Sequence, residues 1–463
     1  MGKPLLFMID FYEDFIMYDL ICIGAGIANL SLAYHYLKDN KGKVLILEEG
    51  SNILNRHCPK DKTGKCINCK PCQITTGFAG AGCFSDSKLT YSEQVGGTLI
   101  DYTGKEKFKE LQDKAKLFYK DLGANSPIYT SSDYFKRFQD KCKENDLILV
   151  ESEVQHLGTE GSYELMVELY NRLKNMGCDI QCRSAVTDID FNNHKVYYGE
   201  KEVQYKKLSI AVGRYGSEWL NKICKQNDIA LEENSVDIGV RIEVPHHITK
   251  EVTDNLYEMK IINEISDSLS VRTFCVNPQG YVVQENYKDV KCVNGHSFAN
   301  QKSNNTNFAL LVSCKFTEPF NNPIEYGKAI CKLSNMLGGN HILVQRLGDL
   351  INNRRTNEIR LNDNSVKPTL TDAVPGDIRY AIPDKILDAI LDTINGLNYV
   401  IDGIWNEDIL LYSPEVKFYS SKIKLNNNLQ THIPDVYFLG DSSGVTHGII
   451  QACMSGIYIA EKL

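Results

Sequence analysis

The sequence predicts an α/β protein whose main domain is assembled from separated stretches of chain, with a mixed α+β domain inserted between them. Three observations predict this. A strand, a glycine turn, a helix and a second strand follow one another over residues 18–48. A run of short strands returns much later and closes on Gly213-Arg214-Tyr215-Gly216, and residues 436–463 read again as a strand, a Gly-Asp turn and an apolar helix. Tyr18-Asp19-Leu20-Ile21-Cys22-Ile23 is the short apolar run of a buried strand, and Gly24-Ala25-Gly26-Ile27-Ala28-Asn29 opens an amphipathic helix to about Asp39. Val44-Leu45-Ile46-Leu47 is the next strand, and it ends on Glu48 and Glu49. This context is what a dinucleotide fingerprint must have, and it defines a Rossmann-type unit. Gly24 permits the tight turn and Gly26 lets backbone approach a pyrophosphate. The helix start at Ala25, Ile27 and Ala28 offers free N–H groups at the positive end of a dipole. Glu48 stands where a carboxylate accepts hydrogen bonds from a ribose. Asn29 takes the place of the third glycine, which mainly serves close helix–strand packing, so the phosphate site is expected to survive the change.

The later elements follow in order. Phe108, Leu111, Ala115, Phe118 and Leu122 recur at helical spacing and end near Gly123. Tyr163, Met166, Leu169, Tyr170 and Leu173 mark a second helix that stops at Gly177. Short strands are expected at 180–189, 195–198, 203–205 and 207–212. Residues 230–430 read differently. Strands at 236–244, 270–276, 281–285 and 308–317 mix with helices near 323–337 and 383–394, and 300–307 reads as a loop. A strand at 436–439 then runs into Gly440-Asp441, and Gly448 opens a helix over 449–463. The division expected is a flexible leader at 1–16, with Met17 as an alternative start. Residues 17–100, 150–225 and 432–463 form the discontinuous nucleotide domain. Residues 101–149 form a helical insertion, and 226–431 a substrate or cap domain.

Composition narrows the function. A net charge of −8 over 463 residues argues against nucleic-acid or anionic-membrane partners, since nothing focuses positive field. No run of eighteen apolar residues occurs, so no membrane helix is expected. The first sixteen residues carry Asp10, Glu13 and Asp14 and lack the layout of a secretory signal. Fifteen cysteines without such a signal point to a reducing compartment, the cytoplasm, and to thiols, metal ligands or redox groups rather than structural disulfides. The run Cys58, Cys66, Cys69, Cys72 leaves three readings open: a metal or Fe–S site, a redox pair, or reduced thiols in a tight loop.

Asp441 and the helix start at Gly448 and Ile449 favour FAD over NAD as the bound dinucleotide. A flavin dinucleotide needs a distant acid for its ribityl chain and a helix N-terminus at its pyrimidine edge. No second Gly-x-Gly-x-x-Gly joins a strand to a helix, so NAD(P)H is expected only as an external donor.

Motifs along nearly the whole chain carry a resemblance. They include Cys66-Ile67-Asn68-Cys69-Lys70-Pro71-Cys72, Gly80-Ala81-Gly82-Cys83-Phe84-Ser85-Asp86-Ser87-Lys88-Leu89 and His156-Leu157-Gly158-Thr159. Others are Val236-Asp237-Ile238-Gly239-Val240-Arg241, Val293-Asn294-Gly295-His296-Ser297, Asn305-Thr306-Asn307-Phe308 and Val416-Lys417-Phe418-Tyr419. In these the chain resembles the family of FAD-dependent dehydrogenases, also described as NAD/FAD-utilising, a branch of the glutathione-reductase-type flavoproteins whose substrates are largely uncharacterised. It departs from the pattern at Asn29, at Ser87 where glycine is commoner, and at Asn277 where a second cysteine after Cys275 is expected. The resemblance implies a glutathione-reductase-type FAD domain. It also implies that Gly80, Ala81, Gly82, Cys83, Ser85, Asp86 and Lys88 lie along the pyrophosphate and ribityl chain toward the isoalloxazine. Val186 and Gly213 are expected among the cofactor contacts. Candidate catalytic residues are His296, Arg272, Cys275, Lys417 and His447, with Arg346 a further carboxylate clamp. The expected function is hydride or two-electron transfer on a small organic substrate, by a dehydrogenase or double-bond reductase, with a redox partner as one source of electrons. The alternatives are a flavin monooxygenase, a flavin-binding protein without catalysis, a metal-held scaffold, or an RNA-modifying flavoprotein, which the acidic charge disfavours.

Overall fold

The computed structural model describes residues 17–39, 42–59, 67, 69–84, 87–130, 132–232, 234–287, 289–298, 301–316, 318–320 and 322–463. The expected leader at 1–16, and Cys66, Ser85 and Asp86, lie outside the described residues. The strands used below are β1 (Met17–Ile23), β2 (Val44–Glu48), β3 (Lys88–Tyr91), β4 (Leu147–Leu149), β5 (Glu153–His156), β6 (Asp179–Cys182), β7 (Val186–Asp190), β8 (Lys195–Tyr198) and β9 (Lys201–Ile210). They continue with β10 (Val236–Pro245), β11 (Ile261–Ser266), β12 (Leu269–Asn277), β13 (Tyr281–Tyr287), β14 (Val290–His296), β15 (Asn305–Cys314), β16 (Leu343–Arg346), β17 (Leu410–Phe418) and β18 (Val436–Phe438). The helices are α1 (Ile27–Asp39), α2 (Lys105–Leu122), α3 (Asp133–Lys143), α4 (Gly158–Asn175), α5 (Ser217–Gln226), α6 (His246–Leu256), α7 (Pro323–Leu337), α8 (Asp384–Val400) and α9 (Ile449–Ala460). Among the described residues no helix is long and apolar enough to cross a membrane.

One sheet runs β6-β2-β1-β9-β8-β7, with β18 also on β9, and β6, β2, β1, β9 and β18 pair in parallel. Its central strand β1 is apolar on both faces because both are covered. Leu20 and Cys22 pack with α1 and α9, while Ile21 and Ile23 pack with β9 and α5. The last helix reaches this sheet through small residues. A Cβ on Gly456 would lie 2.1 Å from Ala28 O, and Ser31 Oγ donates to Cys453 O at 2.9 Å. Residues from the two ends of the chain thus build one nucleotide-side layer.

The strand expected over 180–189 is two strands. Arg183 takes φ +56°, and the amides of Arg183 and Ser184 turn to Gly50 O and Glu48 O at 2.8 Å each. The break ties this segment to the end of β2.

The second sheet is largely antiparallel and runs β16-β17-β10-β15-β12-β11-β4. The stretch 147–149, expected to end a helical insertion, is its edge strand, with Leu149 opposite Ile261. The expected loop 300–307 gives way to strand at Asn305, since Asn305, Thr306 and Asn307 pair with Pro245, Val244 and Glu243. On β10, Val236, Ile238, Val240, Ile242 and Val244 face a core shared with α6 and α8, so Asp237, Gly239, Arg241 and Glu243 face the other way. That polar face is buried too, under the hairpin β13–β14 and beside a cavity.

Candidate cofactor and substrate site

The cavity measures about 2290 Å³ and extends from the loop after β1 to the polar face of the antiparallel sheet. Pockets for drug-sized ligands hold roughly 300–1,000 Å³, so this one has room for a dinucleotide and a second ligand. At one end β1 stops on Gly24, whose φ is +89° and whose Cβ, if present, would lie 2.4 Å from Ala211 O. Only glycine fits there. A Cβ on Gly26 would meet nothing within 4 Å, and one on Gly80 (φ +65°) would lie 3.3 Å from Gly26 Cα. The two glycines lie against each other beside the start of α1, leaving the bare backbone that a pyrophosphate needs.

Glu48 is buried, and its Oε2 and Oε1 accept the amides of Ala25 and Gly50 at 2.8 Å each. Each oxygen keeps a second acceptor position, so the carboxylate both fixes the turn and is able to take a ribose diol. Glu49 is exposed at the cavity rim, and Val186 and Gly213 line the wall.

Asn29 is more than a packing replacement. Its Nδ2 donates to Ile23 O (2.9 Å) and Gly24 O (2.8 Å), and its Oδ1 accepts from Ser209 Oγ at 2.6 Å. The amide therefore pins α1 to the ends of β1 and β9, with the contacts to Ile23 and Ser209 buried. Restoring the fingerprint glycine, Asn29→Gly, is expected to destabilise the protein by about 1–3 kcal/mol, because the Ser209 hydroxyl loses its acceptor and the Gly24 and Ile23 carbonyls each lose a donor, Ile23 keeping the Ala211 amide. The urea midpoints of the two proteins check this.

The segment after Gly80 runs toward α9. A Cβ on Gly82 would touch the Ile449 side chain at 3.3 Å, and Ala81 and Cys83 line the wall beside it. The Cys83 thiol is pushed up to about 11 by burial, so it stays protonated. Ser87 adopts φ +46°, the conformation that favours glycine, and its hydroxyl donates to Gly82 O at 2.7 Å. Lys88 directs its ammonium to Val276 O and lies 3.9 Å from Glu258, so it also ties the loop to the second sheet.

At α9, Asp441 Oδ2 accepts from Arg214 Nε at 2.7 Å, and Oδ1 lies 3.6 Å from His447 Nδ1. Asp441 Oδ1, His447 Nδ1, Thr98 Oγ1 and Thr446 Oγ1 are buried with no hydrogen-bond partner among the described residues. Burial works against the Asp441 carboxylate, but Arg214 and His447 together hold the group below its usual range. A depressed native pKa contributes stability above the unfolded value of about 3.9 that is lost as pH falls through the native value. Wild type is therefore expected to lose stability below about pH 4 that Asp441→Asn does not lose. Urea midpoints at pH 7 and pH 3 measure the difference.

Sequence reading missed the segment 92–98. The amides of His447 and Gly448 both donate to Gly96 O (2.8 and 3.0 Å), and Gln451 Nε2 donates to Val95 O at 3.0 Å. A Cβ on Gly97 would lie 2.4 Å from Val445 O. The Gly96-Gly97 pair was the available signal.

All five expected catalytic residues line the cavity. Arg272 NH2 pairs with Asp237 and bonds Tyr419 OH at 2.7 Å, and the Tyr419 ring lies 4.7 Å from His447. Lys417 lies 3.0 Å from Glu415 Oε1. Burial disfavours its charge, but Glu415 and Glu285 keep it protonated. His296 Nε2 is 3.3 Å from Thr159 Oγ1. Cys275 takes φ +49°, with Sγ 3.6 Å from Asn277 Oδ1. Asn277 itself belongs to the Arg241 network, which accounts for an amide where a second thiol was expected. Arg346 stands outside the cavity, bonded to Asn364 Oδ1 at 2.7 Å and paired with Asp408, and is a structural residue. Phe274, Lys260, Arg214 and Tyr419 line the cleft without having been singled out. Cys58, Cys69 and Cys72 lie on its rim, and among the described residues no three His, Cys, Asp or Glu side chains converge on one point.

Fold and site fit FAD. The glycine cradle would take the pyrophosphate, Glu48 the ribose, and the Asp441 Oδ1 and threonine oxygens the polyol. Residues 235–417 match the family described as "FAD-dependent protein, C-terminal domain-like". An uncharacterised protein of Clostridium beijerinckii (strain ATCC 51743 / NCIMB 8052) is 24% identical over 333 residues, 66% of this chain and 61% of that protein. The chain thus matches less than two thirds of that relative's length. Among solved structures, the L-proline dehydrogenase from P. horikoshii has 12% identity and a TM-score of 0.40 over 96% of this chain and 92% of that one. The 3-ketosteroid-Δ4-(5α)-dehydrogenase from Rhodococcus jostii RHA1 has 10% identity and a TM-score of 0.42 over 97% and 96%. The family match over residues 235–417 and the dinucleotide cradle agree on FAD as the cofactor.

Proposed function

We propose that the protein is an FAD-dependent dehydrogenase or double-bond reductase acting on a small organic substrate. One observation carries this reading: a single cavity joins the glycine cradle at Gly26 to the polar face bearing Arg272, Lys417 and His296. In this reading residues 17–100, 150–225 and 432–463 form a glutathione-reductase-type FAD domain, and 226–431 the substrate domain over it. FAD, when bound, supplies reversible two-electron transfer. The chain's own residues do the rest. Gly26, Gly80 and the start of α1 hold the diphosphate, and Glu48 the ribose. Asp441, kept ionised by Arg214 and His447, takes the polyol, and the Ile449 amide at the start of α9 holds the polar edge of the ring. Arg272 orients the substrate, and His296 or His447 holds the proton that accompanies reduction. The free thiols suit a reducing compartment such as the cytoplasm. An anaerobic screen of NADH, NADPH and a dithiol tests the function. One donor is expected to bleach the flavin, and an activated alkene to restore its colour. A flavin that no donor bleaches would leave a binding protein without catalysis.

A further inference from the structure

We propose that the cleft binds a planar, conjugated carboxylate on the face of Phe274. The inference rests on the FAD reading and names the class of substrate. Phe274 is a half-buried ring on the cavity wall, and three cations collar it: Lys260 Nζ at 5.2 Å, Arg272 Cζ at 5.4 Å and Lys417 Nζ at 5.9 Å from the ring centre.

The collar differs in how well its members are satisfied. Lys417 has Glu415 at 3.0 Å behind it. The Lys260 side chain is 13% exposed, and the carboxylate it pairs with among the described residues, Glu258 Oε1, stands 3.6 Å away, beyond hydrogen-bond reach. Arg272 engages Asp237 and Tyr419 through NH2, while its buried Nε has no partner among the described residues. A largely buried ammonium with donors unused, beside a partly exposed guanidinium whose Nε is unused, favours an anionic acceptor at this wall. A carboxylate supplies two oxygens, one for each cation. The ring beside them offers a flat apolar surface on which a conjugated body stacks. A conjugated acid also carries the activated double bond that the proposed reaction needs.

Calorimetric titration of the FAD-loaded full chain with cinnamate and with cinnamamide, near-isosteres that exchange an anionic oxygen for a neutral NH2, tests this. Cinnamate is expected to bind at least tenfold more tightly. Lys260→Met should remove that preference with FAD content unchanged, and Lys260→Arg should retain it. Equal affinities for the two compounds, or heat from neither, would overturn the inference. So would a Lys260→Met protein that loses FAD rather than cinnamate, since the collar would then serve the flavin. A wild-type chain that takes up no FAD overturns the proposed function instead, and flavin absorbance reports that before any ligand is added.

Discussion

Arg241→Met is expected to destabilise the protein by about 3–5 kcal/mol, the cost of breaking a fully buried ion pair from one side. Arg241 and Glu415 are both inaccessible to solvent, and the guanidinium meets the carboxylate through two bonds of 2.7 and 2.9 Å. Its NH1 also donates to Asn307 Oδ1 (2.8 Å), Asn277 Oδ1 (3.2 Å) and Cys275 O (3.2 Å). Methionine fills much of the volume but supplies none of these donors, so a carboxylate and three oxygens lose partners together. Burial alone would favour protonated Glu415. Arg241 first, and Lys417 after it, reverse that and hold the group below its usual range. A guanidinium chloride titration measures the loss. The double variant Arg241→Met/Glu415→Met is expected to recover only part of it, because Lys417 then loses Glu415 and the oxygens of Asn307, Asn277 and Cys275 stay without Arg241. The tightness of the cluster extends to Gly295, where a Cβ would lie 2.1 Å from Asn277 Oδ1 and 2.2 Å from Arg241 NH1.

Gly26→Val is expected to weaken FAD binding at least 100-fold, about 2.7 kcal/mol, while leaving the apoprotein's stability within about 1 kcal/mol of wild type. The separation of the two effects follows from what surrounds Gly26. A Cβ there meets no protein atom within 4 Å, so the fold has no reason to resist it, and the added branches project into the space the diphosphate requires. Gly24→Ala should behave oppositely. It forces a positive φ and a 2.4 Å approach to Ala211 O, so folding and flavin binding should fail together. Flavin titration and denaturant unfolding of each variant read the two quantities independently.

Much of the nucleotide side was legible in the sequence because it depends on local chemistry. Tight-turn glycines between apolar strands mark the cradle, and Gly440-Asp441 before a small-residue helix marks the far end. The antiparallel sheet was legible by half. The alternation in Val236–Pro245 showed one apolar face, but an alternating strand ordinarily leaves its polar face in water. Here that face is buried, and the residues that satisfy it, Asn277, Asn294, Asn307 and Glu415, come from four other strands. No spacing rule joins them. The same holds for Tyr419 and Phe274, whose roles arise only when the residue after β17 and the strand β12, separated by β10 and β15, are brought into one sheet. Arg346 shows the converse error, since a lone arginine in sequence cannot declare whether its carboxylates belong to the protein or to a ligand. Asn29 was visible as a departure from a pattern, yet its gain lies in Ser209, 180 residues away.

One dinucleotide held between Gly26 and Gly448 underlies the proposed function, and the flavin content of the purified chain after incubation with FAD and removal of the excess tests it. One equivalent of FAD per chain is expected, released unchanged on denaturation and lost in Gly26→Val. A wild-type chain that remains colourless, or a Gly26→Val chain that retains the full equivalent, would contradict it.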